Sequence, residues 1–175
     1  AGFSDTTEFL GFGDNSGGVA IVKLNRGGHP VWAFPIKGQV SFRRSSAAID
    51  SFGNVYVAAG ITSSVDIGGT TVSHVRGFER LAGVVVKIDT HGKLRWHRKV
   101  VSDSRFTVHN VDAGPQETVY LSVSQPAGSS WYIDGNRTLP FRRNRAESVR
   151  LDSQGRISGT ERIRLHAVDR DAFGN

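Results

Sequence analysis

A repeat with a period of about 64 residues is the feature of this sequence that most restricts its fold. The segment VKLNRGGHPVW at residues 22–32 returns as VKIDTHGKLRW at residues 86–96 and as VRLDSQGRISG at residues 149–159. A fixed period of this length is typical of architectures in which each unit packs on its neighbours. We therefore read residues 1–175 as one segment of three approximate repeats, at residues 1–47, 48–109 and 110–175.

A second marker keeps the same period. The segment AIDSFGNVYVAA from residue 48 returns as NVDAGPQETVYLSV from residue 110, with the Val-Tyr pairs at residues 55–56 and 119–120 again 64 apart. The marker begins a third time at residues 171–175, and residues 1–3 resemble residues 59–61. We expect the repeat register to be cut inside one strand, and the chain to be processed or an excerpt of a longer polypeptide.

The central repeat predicts four short β-strands. Residues 54–61 are rich in Val, Tyr and Ala, and residues 65–75 are interrupted by a Gly-Gly pair. Residues 83–88 form a continuous β-branched run, and residues 94–101 alternate between apolar and polar side chains. No stretch of ten or more residues has the period and caps of an amphipathic helix, so the chain is expected to be all-β.

Three predicted hairpin turns begin with Asn or Asp and have glycine in fourth place, at residues 25–28, 89–92 and 152–155. The first side chain can accept hydrogen bonds from amides of its own turn, and glycine tolerates a positive φ. These features predict type I turns with a glycine bulge. A calcium loop would need further acidic residues at alternate positions, which these turns lack.

Four-stranded antiparallel sheets at such a period are typical of β-propeller blades. We predict three four-stranded sheets, with Trp32 and Trp96 buried at equivalent places between neighbouring blades. Gly159 stands at this place in the third repeat, where Trp131 or Phe141 is expected to compensate. Propellers have about four to eight blades, so the chain is expected to be part of, or to assemble into, a ring of about six.

The motifs at residues 50–57, 66–72 and 83–96 together resemble the bacterial β-propeller repeats of the SBBP type. The resemblance extends over nearly the whole chain and is strongest in the central repeat. It implies a propeller in an exported protein, located outside the cell, at its surface or in the periplasm. It implies no catalytic residues, because the positions shared by the family are turn and core residues.

The remaining blades have two candidate sources. We expect apolar outer faces on the first and last sheets, and a second copy of the chain could cover them in a homodimer that closes a six-bladed ring. The alternative is a longer chain that supplies further blades covalently. No stretch of the sequence is long and apolar enough for a membrane-spanning helix.

A binding surface is suggested by charge. The net charge of +6 comes with arginines that alternate with acidic residues, a pattern that does not favour nucleic acid. Aromatic and basic side chains in the third repeat could bind an anionic glycan by charge and stacking. These candidate ligand-binding residues are Trp131, Tyr132, Arg142, Arg143 and Arg145.

Evidence for catalysis or a cofactor is weak. The chain has no cysteine, its histidines form no zinc motif, and no serine lies in a nucleophile elbow. We predict no metal and no cofactor, and favour a non-catalytic binding or scaffolding module that recognises a glycan or protein. The alternative is a carbohydrate-active hydrolase or lyase, for which Asp66 and Asp134, expected at equivalent places in successive blades, are the only suggestive carboxylate pair.

Overall fold

The computed structural model describes residues 5–10, 18–73, 82–102, 107–124, 130–137 and 147–162. Within these ranges the chain is all-β, with a single turn of 3-10 helix at Pro115–Glu117. The strands are β1 (Asp5–Leu10), β2 (Gly18–Asn25), β3 (Pro30–Lys37), β4 (Val40–Ile49), β5 (Val55–Ile61), β6 (Val65–Ile67), β7 (Thr70–Val72), β8 (Ala82–Ile88), β9 (Leu94–Ser102), β10 (Thr107–Ala113), β11 (Val119–Ser124), β12 (Trp131–Ile133), β13 (Asn136–Arg137), β14 (Glu147–Leu151) and β15 (Ile157–Arg162).

The strands form three antiparallel sheets. Sheet I has the order β1-β2-β3-β6-β7, sheet II the order β4-β5-β8-β9-β12-β13, and sheet III the order β10-β11-β14-β15. The all-β class and the three antiparallel sheets are thus confirmed. Among the described strands, sheet III has the predicted four, whereas sheets I and II have five and six.

The extra strands come from a hairpin whose placement the sequence did not reveal. Residues 65–75 were predicted to form a strand within their own blade, but β6 and β7 form a hairpin that joins the preceding sheet. There β6 pairs with β3, so that Ile67 lies opposite Ile36 and both side chains are fully buried. The hairpin β12–β13 repeats this arrangement by pairing with β9 of sheet II. Each hairpin therefore ties one repeat to the sheet before it.

The first strand of sheets II and III was also not predicted. β4 pairs with β5, and β10 pairs with β11 in the same way. The repeat boundaries at residues 47/48 and 109/110 fall inside these two strands. In sheet I the partner of β2 is β1. Residues 1–3, which the sequence pattern relates to residues 59–61, lie outside the described residues.

Sheet II has both faces in the core, which explains its continuous apolar strands. Every residue of β5 and of β8 is buried. Alternate residues such as Val57 and Val86 pack in the cluster shared with sheet I, whereas Ala58 and Val85 pack in the cluster shared with sheet III. Successive side chains in a strand point to opposite faces, so a run without polar alternation requires cover on both sides.

The outer face of sheet III differs from the expectation that both end faces are apolar. The alternation along β11 and β14 puts Ser122 and Ser148 on this face, at the places where sheet II has Ala58 and Val85. Ser148 is nonetheless buried and Ser122 half-buried, so this face is polar at these places without being open to solvent there. The part of the chain that the structure describes contains no helix long and apolar enough to cross a membrane.

Candidate functional site

The three hairpin turns have the predicted geometry. We name residues 25–28, 89–92 and 152–155 turn 1, turn 2 and turn 3. Each first side chain accepts two backbone amides within its hairpin, at 2.8–3.0 Å, and each fourth residue has a positive φ of 72–79°. The strand register shifts by one residue beside each turn, between residues 23 and 24, 87 and 88, and 150 and 151. That shift lies outside the turn, and the predicted glycine bulge is confirmed by the turn itself: in all three repeats the carbonyl of the first residue accepts the glycine amide, and the amide of the first residue donates to the carbonyl of the residue after the glycine, at 2.9–3.0 Å.

Two tryptophans join neighbouring sheets through these turns. Trp32 of sheet I donates its indole N–H to the carbonyl of Thr90 in turn 2, at 3.0 Å, and its ring lies directly on Gly92. Trp96 of sheet II donates to the carbonyl of Ser153 in turn 3, at 2.9 Å, and lies on Gly155 in the same way. The prediction that these tryptophans occupy equivalent places between sheets is confirmed, although Trp32 is only half-buried.

The third repeat does not continue this junction. Gly159 occupies the corresponding place opposite Arg150, whose guanidinium lies over it and donates to Ser158. Trp131, one of the two residues expected to compensate, lies on β12, which belongs to sheet II. Phe141, the other residue expected to compensate, lies outside the described residues.

A buried polar network lies beside Trp96 at the junction of sheets II and III. The Asp50 carboxylate accepts hydrogen bonds from the Tyr56 hydroxyl at 2.9 Å and from the side-chain amide of Asn54 at 2.8 Å. The same amide donates to Glu117 of the next repeat at 3.1 Å, and Lys87 pairs with Glu117 at 3.0 Å. The Lys87 side chain is only 4% exposed. A charge buried to this extent requires such a partner, so the network holds the two repeats together.

Glu117 has a backbone conformation that usually belongs to glycine. Its φ is +59°, and it occupies the place of Gly53 in the central repeat, where φ is +82°. The match follows from the turn hydrogen bonds, which put Gly114 and Thr118 where the central repeat has Asp50 and Asn54. The predicted spacing of 64 between residues 55–56 and 119–120 is thus confirmed, and in this register Gly114 rather than Asp112 corresponds to Asp50. A positive φ costs a glutamate about 1–3 kcal/mol, and the contacts of Glu117 with Lys87 and Asn54 offset this strain.

A cavity of about 300 Å³ opens above this network. Its walls come from turn 2, turn 3 and the turn at Pro115–Glu117. The lining is almost entirely polar and includes charges of both signs. The lining residues are Asn54, Lys87, Asp89, Thr90, His91, Arg95, Trp96, Glu117, Ser153 and Gln154. Such a cavity can hold one small polar molecule by hydrogen bonds.

Two groups at this junction have shifted pKa values. Burial, followed by the hydrogen bond to Asp50, raises the pKa of Tyr56 far above its usual range. Desolvation opposes the shift of Asp89, but the backbone amides of Lys93 and His91, together with the charges of His91 and Arg95, lower the pKa of its carboxyl group. Both values move away from neutrality, where a general acid or base works best.

Of the candidate ligand-binding residues, Tyr132 is described with its side chain and does not line this cavity. Tyr132 is half-buried on β12, opposite Val101 of β9, and Trp131 is its neighbour on the same strand. Arg142, Arg143 and Arg145 lie outside the described residues. The ligand-binding role of all five stays a prediction.

The suggested carboxylate pair is not a pair of equivalent residues. Asp66 lies on β6, and its carboxylate accepts the amide of Gly69 at 3.1 Å. Asp134 follows β12 in the hairpin turn, with a φ of +48° that matches Gly68 rather than Asp66. Its carboxylate accepts the amide of Lys99 at 2.8 Å and lies 3.4 Å from Arg98. Asp66 therefore orders its own turn, whereas Asp134 ties its turn to β9, and the two residues lie in different sheets.

One signal in the sequence could have revealed the network. A cation stands at the same place in all three repeats, as Lys23, Lys87 and Arg150, within a strand that otherwise reads as buried. A cation in such a strand indicates a buried partner. The partner of Lys87 could not be found by alignment, because Glu117 replaces a glycine.

Among the residues that the structure describes, no three His, Asp or Glu side chains are grouped so that they could hold a metal ion. No protein-family model matches the chain, and no curated protein matches it at a significant level. The resemblance to the bacterial propeller repeats therefore stands on the repeated residues alone.

Proposed function

We propose that this chain is a non-catalytic binding or scaffolding module of the β-propeller type, part of an exported protein. The observation that carries the proposal is the repeated junction: sheet II is covered on both faces, and the same tryptophan–turn contact connects it to sheet I and to sheet III. Stacked sheets of this kind continue readily into a ring. The side chains that build the junctions hold sheets together, which agrees with a scaffold.

The further blades of the proposed ring come either from a second copy, which gives six blades, or from more repeats in a longer chain. The polar outer face of sheet III and the absence of tryptophan at Gly159 favour more repeats, because two copies could not form the observed junction with each other. Light scattering separates these arrangements. We expect the chain mass of 19.0 kDa, and a species of 38 kDa, twice that mass, would support the homodimer instead.

The proposed ligand is an anionic glycan bound by the aromatic and basic residues of the third repeat. Replacement of Arg142, Arg143 and Arg145 by alanine is expected to lower the salt concentration at which the protein elutes from immobilised heparin. A matched control replaces Arg26, Lys37 and Lys93, three exposed cations elsewhere. If both triple variants elute at the same salt concentration, binding depends on net charge alone and the site is wrong.

The non-catalytic part of the proposal is tested separately with chromogenic glycosides. We expect no turnover. Hydrolysis that is lost on Glu117→Gln or Asp89→Asn, in protein that remains folded, would favour the carbohydrate-active alternative at the cavity of sheets II and III.

A further inference from the structure

The surface of turn 1 is unlike that of the other two turns. Turn 1 has the same backbone as turns 2 and 3, because the carboxamide of Asn25 accepts the amides of Gly27 and His29 and Gly28 has a φ of +77°. Yet every residue from 25 to 31 is exposed, including Val31 at 54%. No atom in the described part of the chain lies within 4 Å of the place where a Cβ would stand at Gly28.

The two internal junctions show what covers such a turn. At Gly92 and at Gly155 a Cβ would lie 2.8–2.9 Å from a carbon of the tryptophan ring of the preceding repeat. The second residue of each of these turns accepts the indole N–H, and its counterpart in turn 1 is Arg26. Glycine is needed at this place because any side chain would occupy the position of the ring.

The preceding partner must therefore supply an indole. Tryptophan combines a flat apolar ring, which can pack on the glycine, with one N–H group, which can donate to the neighbouring carbonyl. Each of the two tryptophans that donate in this way also lies opposite a lysine across its own hairpin. Trp32 faces Lys23, and Trp96 faces Lys87. Sheet III has Gly159 opposite Arg150 instead, so the last sheet of a second copy of this chain does not carry the required pair.

We propose that turn 1 is a docking site for a further propeller repeat that carries a Lys–Trp pair, and that the indole packs on Gly28 and donates to the carbonyl of Arg26. This inference rests on the proposed propeller and names the partner of its first sheet.

The test gives the chain the missing donor. The double variant Arg150→Lys, Gly159→Trp places a Lys–Trp pair on sheet III, and we expect it to assemble in light scattering under conditions in which the wild type has a mass of 19.0 kDa. Adding Gly28→Asn should reverse the assembly, since asparagine tolerates a positive φ but fills the docking surface. Gly69→Asn is the matched control, because Gly69 also has a positive φ and open space around it.

A folded double variant that remains a monomer would overturn the inference, and so would assembly that Gly28→Asn leaves intact. Titration of the wild type with N-acetyl-tryptophanamide, followed by NMR, needs no variant to fold. We expect the Gly28 amide to shift and the Gly69 amide to stay, and equal shifts at both would count against the site. A wild-type mass of 38 kDa would instead contradict the proposed source of the further blades, which is a separate failure.

Discussion

Single glycines under tryptophan rings determine how closely neighbouring sheets approach. Gly92 combines a φ of +79° with a distance of 2.8 Å between the place of a Cβ and the Trp32 ring. Gly69 has a similar φ of +86° but no described atom within 4 Å. Substitutions at the two positions therefore separate two contributions to the free energy of unfolding: the strain of a positive φ, which both share, and the loss of the contact with Trp32, which only Gly92 makes.

Gly92→Val is expected to lower the free energy of unfolding by about 1 kcal/mol or more beyond the effect of Gly69→Val. Both variants strain a left-handed backbone, but only the first displaces Trp32 from turn 2. Denaturant unfolding of the two variants measures the difference. Equal effects would mean that the ring does not lie on this turn.

Tyr56 makes stability depend on alkaline pH. Because burial and the bond to Asp50 raise its pKa, the folded protein keeps the phenol proton that the unfolded chain releases near its ordinary value of about 10. This contribution is fully present below pH 10 and is lost as pH rises further. We expect Tyr56→Phe to reduce the fall in unfolding free energy above pH 10.

Tyr120→Phe is the control for this prediction, since Tyr120 holds the matching place in sheet III and is only half-buried. Chemical denaturation between pH 8 and pH 11 provides the measurement. An alkaline loss of stability that is unchanged in Tyr56→Phe would show that other groups cause it.

Residue patterns predicted the turns well and the polar network poorly. The Asx-first, Gly-fourth pattern is a local signal, because the turn amides bond to a side chain within the same few residues. The link between Lys87 and Glu117 joins different repeats and depends on a glutamate at a glycine position. No local pattern reports a contact of that kind.

At the scale of elements, the main difference from the sequence prediction is the position of the hairpin β6–β7. Its short strands were recognised as strand-like, but their hydrogen-bonding partner is β3 of the preceding repeat. The strand β4 was missed because it includes Arg43, Arg44, Ser45 and Ser46, and its pairing with β5 shifts register between Ser41 and Ser46. Sheet membership thus depends on long-range pairing, which periodicity does not specify.

A double-mutant cycle tests the placement of this hairpin. Ile36→Ala and Ile67→Ala are each expected to destabilise the protein by about 2–5 kcal/mol, because both side chains are fully buried. Since these residues face each other across β3 and β6, their effects should be non-additive by about 0.5 kcal/mol or more. Strict additivity would contradict the pairing of the hairpin with sheet I.

At the scale of the whole molecule, the repeat in the sequence corresponds to a repeat of junctions between sheets. The sequence indicates the all-β class, the three sheets and the tryptophan positions, because each depends on a motif that recurs along the chain. The outer face of sheet III was not predicted, since Ser122 and Ser148 differ from Ala58 and Val85 in a way that matters only once the sheets are placed. The propeller arrangement itself remains our proposal.

The measurement that tests this account most directly is an NMR comparison of the turn glycines after removal of each tryptophan. An indole stacked on a glycine shifts its proton resonances through the ring current. We predict that Trp32→Leu shifts Gly92 but not Gly155, that Trp96→Leu shifts Gly155 but not Gly92, and that neither moves Gly28. If neither glycine responds to its own tryptophan, or both respond to the same one, the repeated tryptophan–turn junction is contradicted.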